Sequence, residues 1–348
     1  MDGSEVGGQL MSSDAPRVMF VIGSPRSGST MLARMIGAHS LVYSRPEPHM
    51  LTPLAHLGYY EKVDKAPYDA VLAAESIRQF VEDLPGGEQD YIDACRAYTD
   101  TLYGRMLSAR PDKQVLLDKT PAYGLILDFM ARIYPEACYV VLTRHPLAVF
   151  SSYAESFFDS DYQAAHDYNP ITERYVPAIA KFLRQAEVPL HQVVYERLVA
   201  DPEPVLRGIF EFAGLVHEPG AVNYGEHAQS EKGLGDPIGV AQHNRPSTSS
   251  LEKWAVEVAS DPSRLELCRR IIDRLDPEDL SLWGHPLETI WEPLERAGGA
   301  PRPAAKKLNR YRLERKAIVK LRALVSRLPI LRRLLLRLRL AADVLTRQ

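Results

Sequence analysis

Residues 18–32, VMFVIGSPRSGSTML, constrain this chain more than any other stretch. Five apolar residues, Val18 to Ile22, run into Gly-Ser-Pro-Arg-Ser-Gly-Ser-Thr and then into an apolar-periodic segment of good helix formers. The pattern predicts a buried strand, a tight glycine loop and a helix N-terminus. Such a unit points free backbone N–H groups, the positive end of a helix dipole and two hydroxyls at one spot, which suits an anion.

The spacing from Gly23 to Gly28 is that of the phosphate loop G-x-x-x-x-G-K-[ST], with one departure. Ser29 stands where the lysine belongs, and Arg26 is the positive side chain of the loop. The lysine form grips the β and γ phosphates of a nucleoside triphosphate beside magnesium. An arginine form with Ser27, Gly28, Ser29 and Thr30 suits a terminal 5′-phosphate or phosphosulfate and calls for no metal. The second strand-to-helix unit is CYVVLTRHPLAVFSSY (138–153), a buried strand that ends in Thr-Arg-His-Pro and enters a helix. Two further segments, VVYERLVADP (193–202) and RPSTSSLEKW (245–254), complete the pattern.

These four motifs, in this order and spacing, resemble the sulfotransferases that use 3′-phosphoadenosine 5′-phosphosulfate (PAPS). The resemblance runs from about residue 17 to about 285. It implies that the 26–30 loop grips the 5′-phosphosulfate, that Arg144 and Ser152 hold the 3′-phosphate, and that Tyr195 lies beside the nucleotide. Arg245 takes the place of a lysine that closes over the nucleotide in the protein-tyrosine sulfotransferases. In those relatives a glutamate at the distance of Glu47 from the loop arginine is the base, and Glu47 in YSRPEPHML (43–51) matches it. His49 stands where they carry arginine. The Pro-Glu-x-His form is closer to bacterial sulfotransferases that include polyketide-linked domains. Whether His49 shares the base role or orients the acceptor stays open. Lys119 in DKTP (118–121) matches a lysine that stabilises charge on the transferring group, with Asp118 orienting its neighbours.

Sulfuryl transfer to an acceptor hydroxyl needs a base for the proton, positive charge for the transferring oxygens, and positioning. Two rival readings use the same loop. A kinase or NTPase is disfavoured by the missing loop lysine and by the lack of an apparent magnesium carboxylate after a strand. A non-catalytic, membrane-associated scaffold is disfavoured by the retention of Glu47, His49 and Lys119 together.

The wider chain fits an α/β, P-loop-like three-layer fold: a central parallel sheet flanked by helices, a helical lid insertion over 50–110 and a basic C-terminal helix. Strands are expected at 18–22, 115–121, 139–142 and 193–195, with helices at 122–133, 146–158 and 201–214. Ligands of such sheets bind at the carboxyl ends of the strands, where each motif falls. The domain reading is a disordered leader (1–16), a sulfotransferase domain (17–296), then a linker and a basic amphipathic helix (297–348). Residues 225–250 form a long Gly/Pro/Ser/His loop in which His243 faces acceptor, cofactor or loop alone.

Composition sets bounds: 45% apolar and 25% charged residues suit a globular chain. Three cysteines without metal or redox spacing point to reduced thiols in a cytoplasmic protein. The polar leader lacks a signal-peptide core, and no uncharged apolar run reaches the roughly 18–20 residues that span a bilayer. From Arg302 onward, 15 Lys+Arg face only Glu314 and Asp343, a local charge of +13 against −16 for the rest. That tail carries Leu321, Leu324, Val325, Leu328, Leu331, Leu334, Leu335 and Leu338 at helical spacing, interrupted at Pro329. It suits an anionic membrane surface, which would place the protein peripherally on the inner face, or self-association through 306–340. One aromatic, Tyr311, argues against nucleic acid. The scattered histidines form no metal site.

Overall fold

Five strands form one parallel sheet in the order β2-β3-β1-β4-β5. They are β1 (Arg17–Ile22), β2 (Val42–Ser44), β3 (Val115–Asp118), β4 (Cys138–Thr143) and β5 (Leu190–Val194). The structure is a computed structural model and describes residues 15–60, 68–225, 245–248 and 251–297. The leader to residue 14, His243 with most of the 225–250 loop, and the linker and basic tail from 298 lie outside the described residues.

Alternation along the strands builds two cores. Val18, Phe20 and Ile22 of β1, with Leu116, Tyr139 and Val141, face one layer of helices. Met19 and Val21, with Val115, Leu117, Val140 and Leu142, face the other. Because both faces are covered, the central strands β1 and β4 read as near-continuous apolar runs. The second layer is α1 (Ser29–Gly37), α9 (Tyr195–Ala200) and α10 (Pro202–Phe212). Leu32, Met35 and Ile36 of α1 are fully buried there, each worth about 1.5–3 kcal/mol of transfer free energy. The first layer holds the larger helices: α4 (Glu88–Ser108), α5 (Leu127–Ile133), α6 (Pro146–Phe158), α7 (Tyr162–Tyr168) and α8 (Ile171–Gln185). Beyond the sheet, α11 (Lys253–Ala259), α12 (Pro262–Ile272) and α13 (Pro277–Leu282) pack on the same core, and α14 (Glu292–Arg296) follows.

The fold class agrees with the expected parallel sheet between helical layers. Several local boundaries differ for identifiable reasons. The helix expected over 122–133 is a 3-10 turn, Pro121–Leu125, followed by α5, because Ile126, at φ −129° and ψ 29°, leaves the helical region between them. The strand expected at 193–195 starts at Leu190 and stops at Val194, and Tyr195 already opens α9. β2 was not foreseen; its three residues are strand because they pair in register with Val115, Leu116 and Leu117. Within the 50–110 insertion the described helices are α2 (Leu51–Ala55), α3 (Tyr68–Glu82) and α4, joined by turns. Among the described residues no helix is long and apolar enough to cross a membrane.

Candidate functional site

The carboxyl ends of β1, β3 and β4 lie side by side, since Phe20 pairs with Asp118 and Ile22 with Val141. Each strand end delivers one part of the site. After β1, the 23–28 loop turns through Arg26 (φ 69°) and Gly28 (φ 95°) into α1, whose first turn has no side-chain cap. Its leading N–H groups are therefore left for a ligand. Gly28 is required twice over: its φ is left-handed, and an added Cβ would sit 2.6 Å from the Tyr195 ring.

After β4, Arg144 donates to the Arg26 carbonyl at 3.0 Å, and its guanidinium lies 4.3 Å from the centre of the Tyr195 ring. Arg26 Nε in turn donates to Ser152 Oγ, two helical turns into the segment after Arg144, at 3.2 Å. The two anion cradles expected from the sequence are thus contiguous. Burial is the main influence on Arg144 and lowers its pKa, with Arg26 pushing the same way against Tyr195 and Glu196. A compact pair of cations of this kind favours an anion between them. Ser24 Oγ, Ser27 Oγ and Arg144 Nε are buried without a hydrogen-bond partner among the described residues. Leaving such groups unpaired costs about 1–3 kcal/mol each, which anionic oxygens would relieve.

After β3, Lys119 is almost fully buried and donates to Glu47 Oε1 at 2.5 Å and to Thr30 Oγ1 at 3.2 Å. The loop that lacks its own lysine therefore receives one from the neighbouring strand. Glu47 arrives from β2, the strand beside β3, and His49 Nε2 lies 4.0 Å from its second oxygen. Glu47 (φ 31°) and His49 (φ 55°) both adopt positive φ, although neither is glycine and Pro48 separates them. Such conformations cost about 1–3 kcal/mol each and persist where the surroundings over-determine them. Of the five non-glycine residues with positive φ among the described residues, three (Arg26, Glu47 and His49) belong to this site.

The structure therefore brings together Arg26, Ser27, Gly28, Ser29 and Thr30 with Arg144, Ser152 and Tyr195, and Lys119 with Glu47 and His49. Tyr195 is buried beneath Gly28 and Arg144, so its ring supports the loop from below. Arg245 is exposed on the isolated stretch 245–248, and no described contact ties it to the loop. Sequence reasoning missed the brace behind Arg144. Trp283 Nε1 donates to the Arg144 carbonyl at 2.8 Å, and the buried His145 ring stacks on Trp254 at 4.3 Å. Burial, with the nearby His285, pushes the His145 imidazole down to about 3, so it is a neutral structural ring. The signal available was the Arg-His-Pro run itself, in which His145 caps α6 with Pro146 at its first position. Among the described residues no group of three or more His, Cys, Asp or Glu could hold a metal ion.

Comparison with known proteins adds the lineage. The nodulation protein NoeE of Sinorhizobium fredii is 29% identical over 270 residues, which cover 71% of this chain and 62% of that protein. The chain thus spans under two thirds of that relative. A putative protein-tyrosine sulfotransferase of Caenorhabditis briggsae is 24% identical over 249 residues, 70% of this chain and 82% of its own length. The solved sulfotransferase domain of the Synechococcus PCC 7002 olefin synthase superposes with a TM-score of 0.51 at 26% identity, covering 80% of this chain and 98% of that domain. The model of the sulfotransferase family matches residues 17–219, more than half of the sequence and every strand of the sheet. On that match, the chain belongs to the sulfotransferase family.

Proposed function

We propose that the protein transfers a sulfuryl group from PAPS to an acceptor hydroxyl by in-line displacement. The observation that carries this reading is the junction of two cationic cradles, Arg144 on the Arg26 carbonyl and Arg26 on Ser152, beside the Lys119–Glu47 pair. When bound, the nucleotide supplies an activated sulfuryl group. The unpartnered Ser24, Ser27 and Arg144 atoms fit its anionic oxygens. Arg26, Ser27, Gly28, Ser29 and Thr30 hold the 5′ end, and Arg144 and Ser152 hold the 3′-phosphate. Arg245 takes the place of the lysine that closes over the nucleotide in the tyrosine sulfotransferases.

Glu47 accepts the proton of the acceptor hydroxyl, with His49 as its partner in the base role or as the group that orients the acceptor. Lys119 and Arg26 offset the charge that builds on the transferring oxygens. A base already fixed 2.5 Å from the charge-stabilising lysine needs little rearrangement for this step. The acceptor is a hydroxyl on a small molecule, lipid, glycan or carrier-bound chain, received against the helical insertion. The basic tail from 306 to 340 serves self-association or brings the protein to an anionic membrane surface on the cytoplasmic side. Deleting 302–348 should then abolish co-sedimentation with anionic liposomes.

Titration calorimetry tests the donor. Binding of 3′-phosphoadenosine 5′-phosphate (PAP) with no heat from ATP-magnesium is the expected result, and the reverse preference refutes the reading. Transfer of labelled sulfate from PAPS across an acceptor panel then identifies the acceptor class.

A further inference from the structure

The contacts that fix the 47–51 segment converge on one buried carboxylate. We propose that Asp118 is a positioning residue of the base loop, acting through Thr120 and Tyr123 to hold Glu47 and His49 in their left-handed backbone beside Lys119. The proposal rests on the reading of Glu47 as the base.

Asp118 ends β3 and is fully buried. Three hydroxyls donate to it: Tyr103 of α4 at 2.6 Å, Tyr123 of the 3-10 turn at 2.9 Å, and Thr120 at 3.3 Å. Two of the three also accept from the base loop. The His49 amide donates to Thr120 Oγ1 at 3.2 Å, and the Leu51 amide donates to the Tyr123 hydroxyl at 3.1 Å. A hydroxyl has one proton, and an ionised carboxylate can only accept. Asp118 therefore draws the Thr120 and Tyr123 protons toward itself and turns their lone pairs to the His49 and Leu51 amides. Direction along each chain is fixed, from amide to hydroxyl to carboxylate, and each bond polarises the next.

The amides held in this way are that of His49 itself and that of the residue two positions on. They clamp the stretch where two non-glycine residues adopt positive φ. Tyr103 adds a bond from the insertion, so the same carboxylate fastens α4 to the tip of β3. Burial lifts the Asp118 carboxyl to about 6, against the pull of the three hydroxyls and Lys119.

Thr120→Val removes the hydroxyl at nearly constant shape, and Thr120→Ser keeps it. Crystal structures, PAP affinity and labelled-sulfate transfer of both variants are compared with the wild type. In Thr120→Val, Glu47 and His49 should relax to negative φ. The kcat should fall about 10–100-fold, while the Kd for PAP stays within about twofold. Thr120→Ser should restore both the loop and the rate. Asp118→Asn, if it folds, should behave as Thr120→Val does. A Thr120→Val loop that stays left-handed, with kcat near wild type, overturns the proposal. So does a PAP affinity that weakens in step with kcat, since the damage would then be general. A wild type that neither binds PAP nor transfers sulfate refutes the donor reading instead, and the loop conformation still judges Asp118.

Discussion

The two halves of the site are built in opposite ways. On the β1–β4 side, buried groups await partners: Ser24 Oγ, Ser27 Oγ and Arg144 Nε are unsatisfied among the described residues, and two guanidinium groups share a small space. On the β2–β3 side, Lys119 is neutralised by Glu47, Glu47 is approached by His49, and the loop amides are anchored. The first half stores unmet polarity and suits a ligand that brings its own charge. The second stores backbone strain and suits chemistry on a neutral acceptor. A pre-paired lysine and carboxylate keep the buried charge affordable until an acceptor arrives.

Breaking the second half should have the largest effect. Glu47→Gln keeps the shape but loses the base, so transfer of labelled sulfate should fall by about 10²–10⁴-fold, with PAP affinity nearly unchanged. A variant as fast as wild type would move the base role to His49. Breaking the first half should show in binding. Arg144→Gln removes a charged hydrogen-bond donor worth about 1.5–3 kcal/mol, so calorimetry should show PAP binding about 10–100-fold weaker. An analogue without the 3′-phosphate should bind both proteins alike; if it is also weakened, the 3′ assignment is wrong.

Gly28→Ala sharpens the contrast, because its cost falls on the fold of the loop. The φ of 95° and a Cβ 2.6 Å from the Tyr195 ring should lower stability by about 1–3 kcal/mol, read as a drop in Tm. Breaking the brace should show in the pH dependence of stability. The folded protein keeps His145 neutral down to about pH 3, whereas the unfolded chain takes a proton below its ordinary 6.5. Stability is therefore complete above pH 6.5 and falls as pH drops toward 3, by about 1.4 kcal/mol per pH unit from this group. In denaturant titrations His145→Gln should flatten that limb relative to wild type; an unchanged slope would place a charged ring in the fold.

How much of this was legible in the sequence follows from how local each feature is. The β1 loop and α6 were readable because the determinants are contiguous: an apolar run, then Gly or Pro at a fixed offset. The helix expected at 146–158 coincides with Pro146–Phe158. β2 was not readable, since Val-Tyr-Ser becomes strand only by pairing with β3, far along the chain. Helix α8 runs through Pro177, a residue that argues against a helix interior, so tertiary packing overrides local preference there. In the site, the residue types of Glu47, Lys119, Arg26 and Arg144 were visible. The left-handed backbone at Glu47 and His49 was not, because Pro46 and Pro48 mark a constrained stretch without stating its sign. The Thr120 and Tyr123 anchors also escaped, since nothing in DKTPAY distinguishes a structural hydroxyl from a solvated one.

The Trp283 indole on the Arg144 carbonyl has a practical corollary. The family model's match ends at residue 219, yet Trp254, Trp283 and Ile290 grip the Arg144–His145 corner from sequence beyond it. Anyone trimming the chain for expression or grafting the domain elsewhere should keep the residues up to at least Ile290. A fragment ended at residue 219 would keep all five strands while removing the wall against which the Arg144 corner is set.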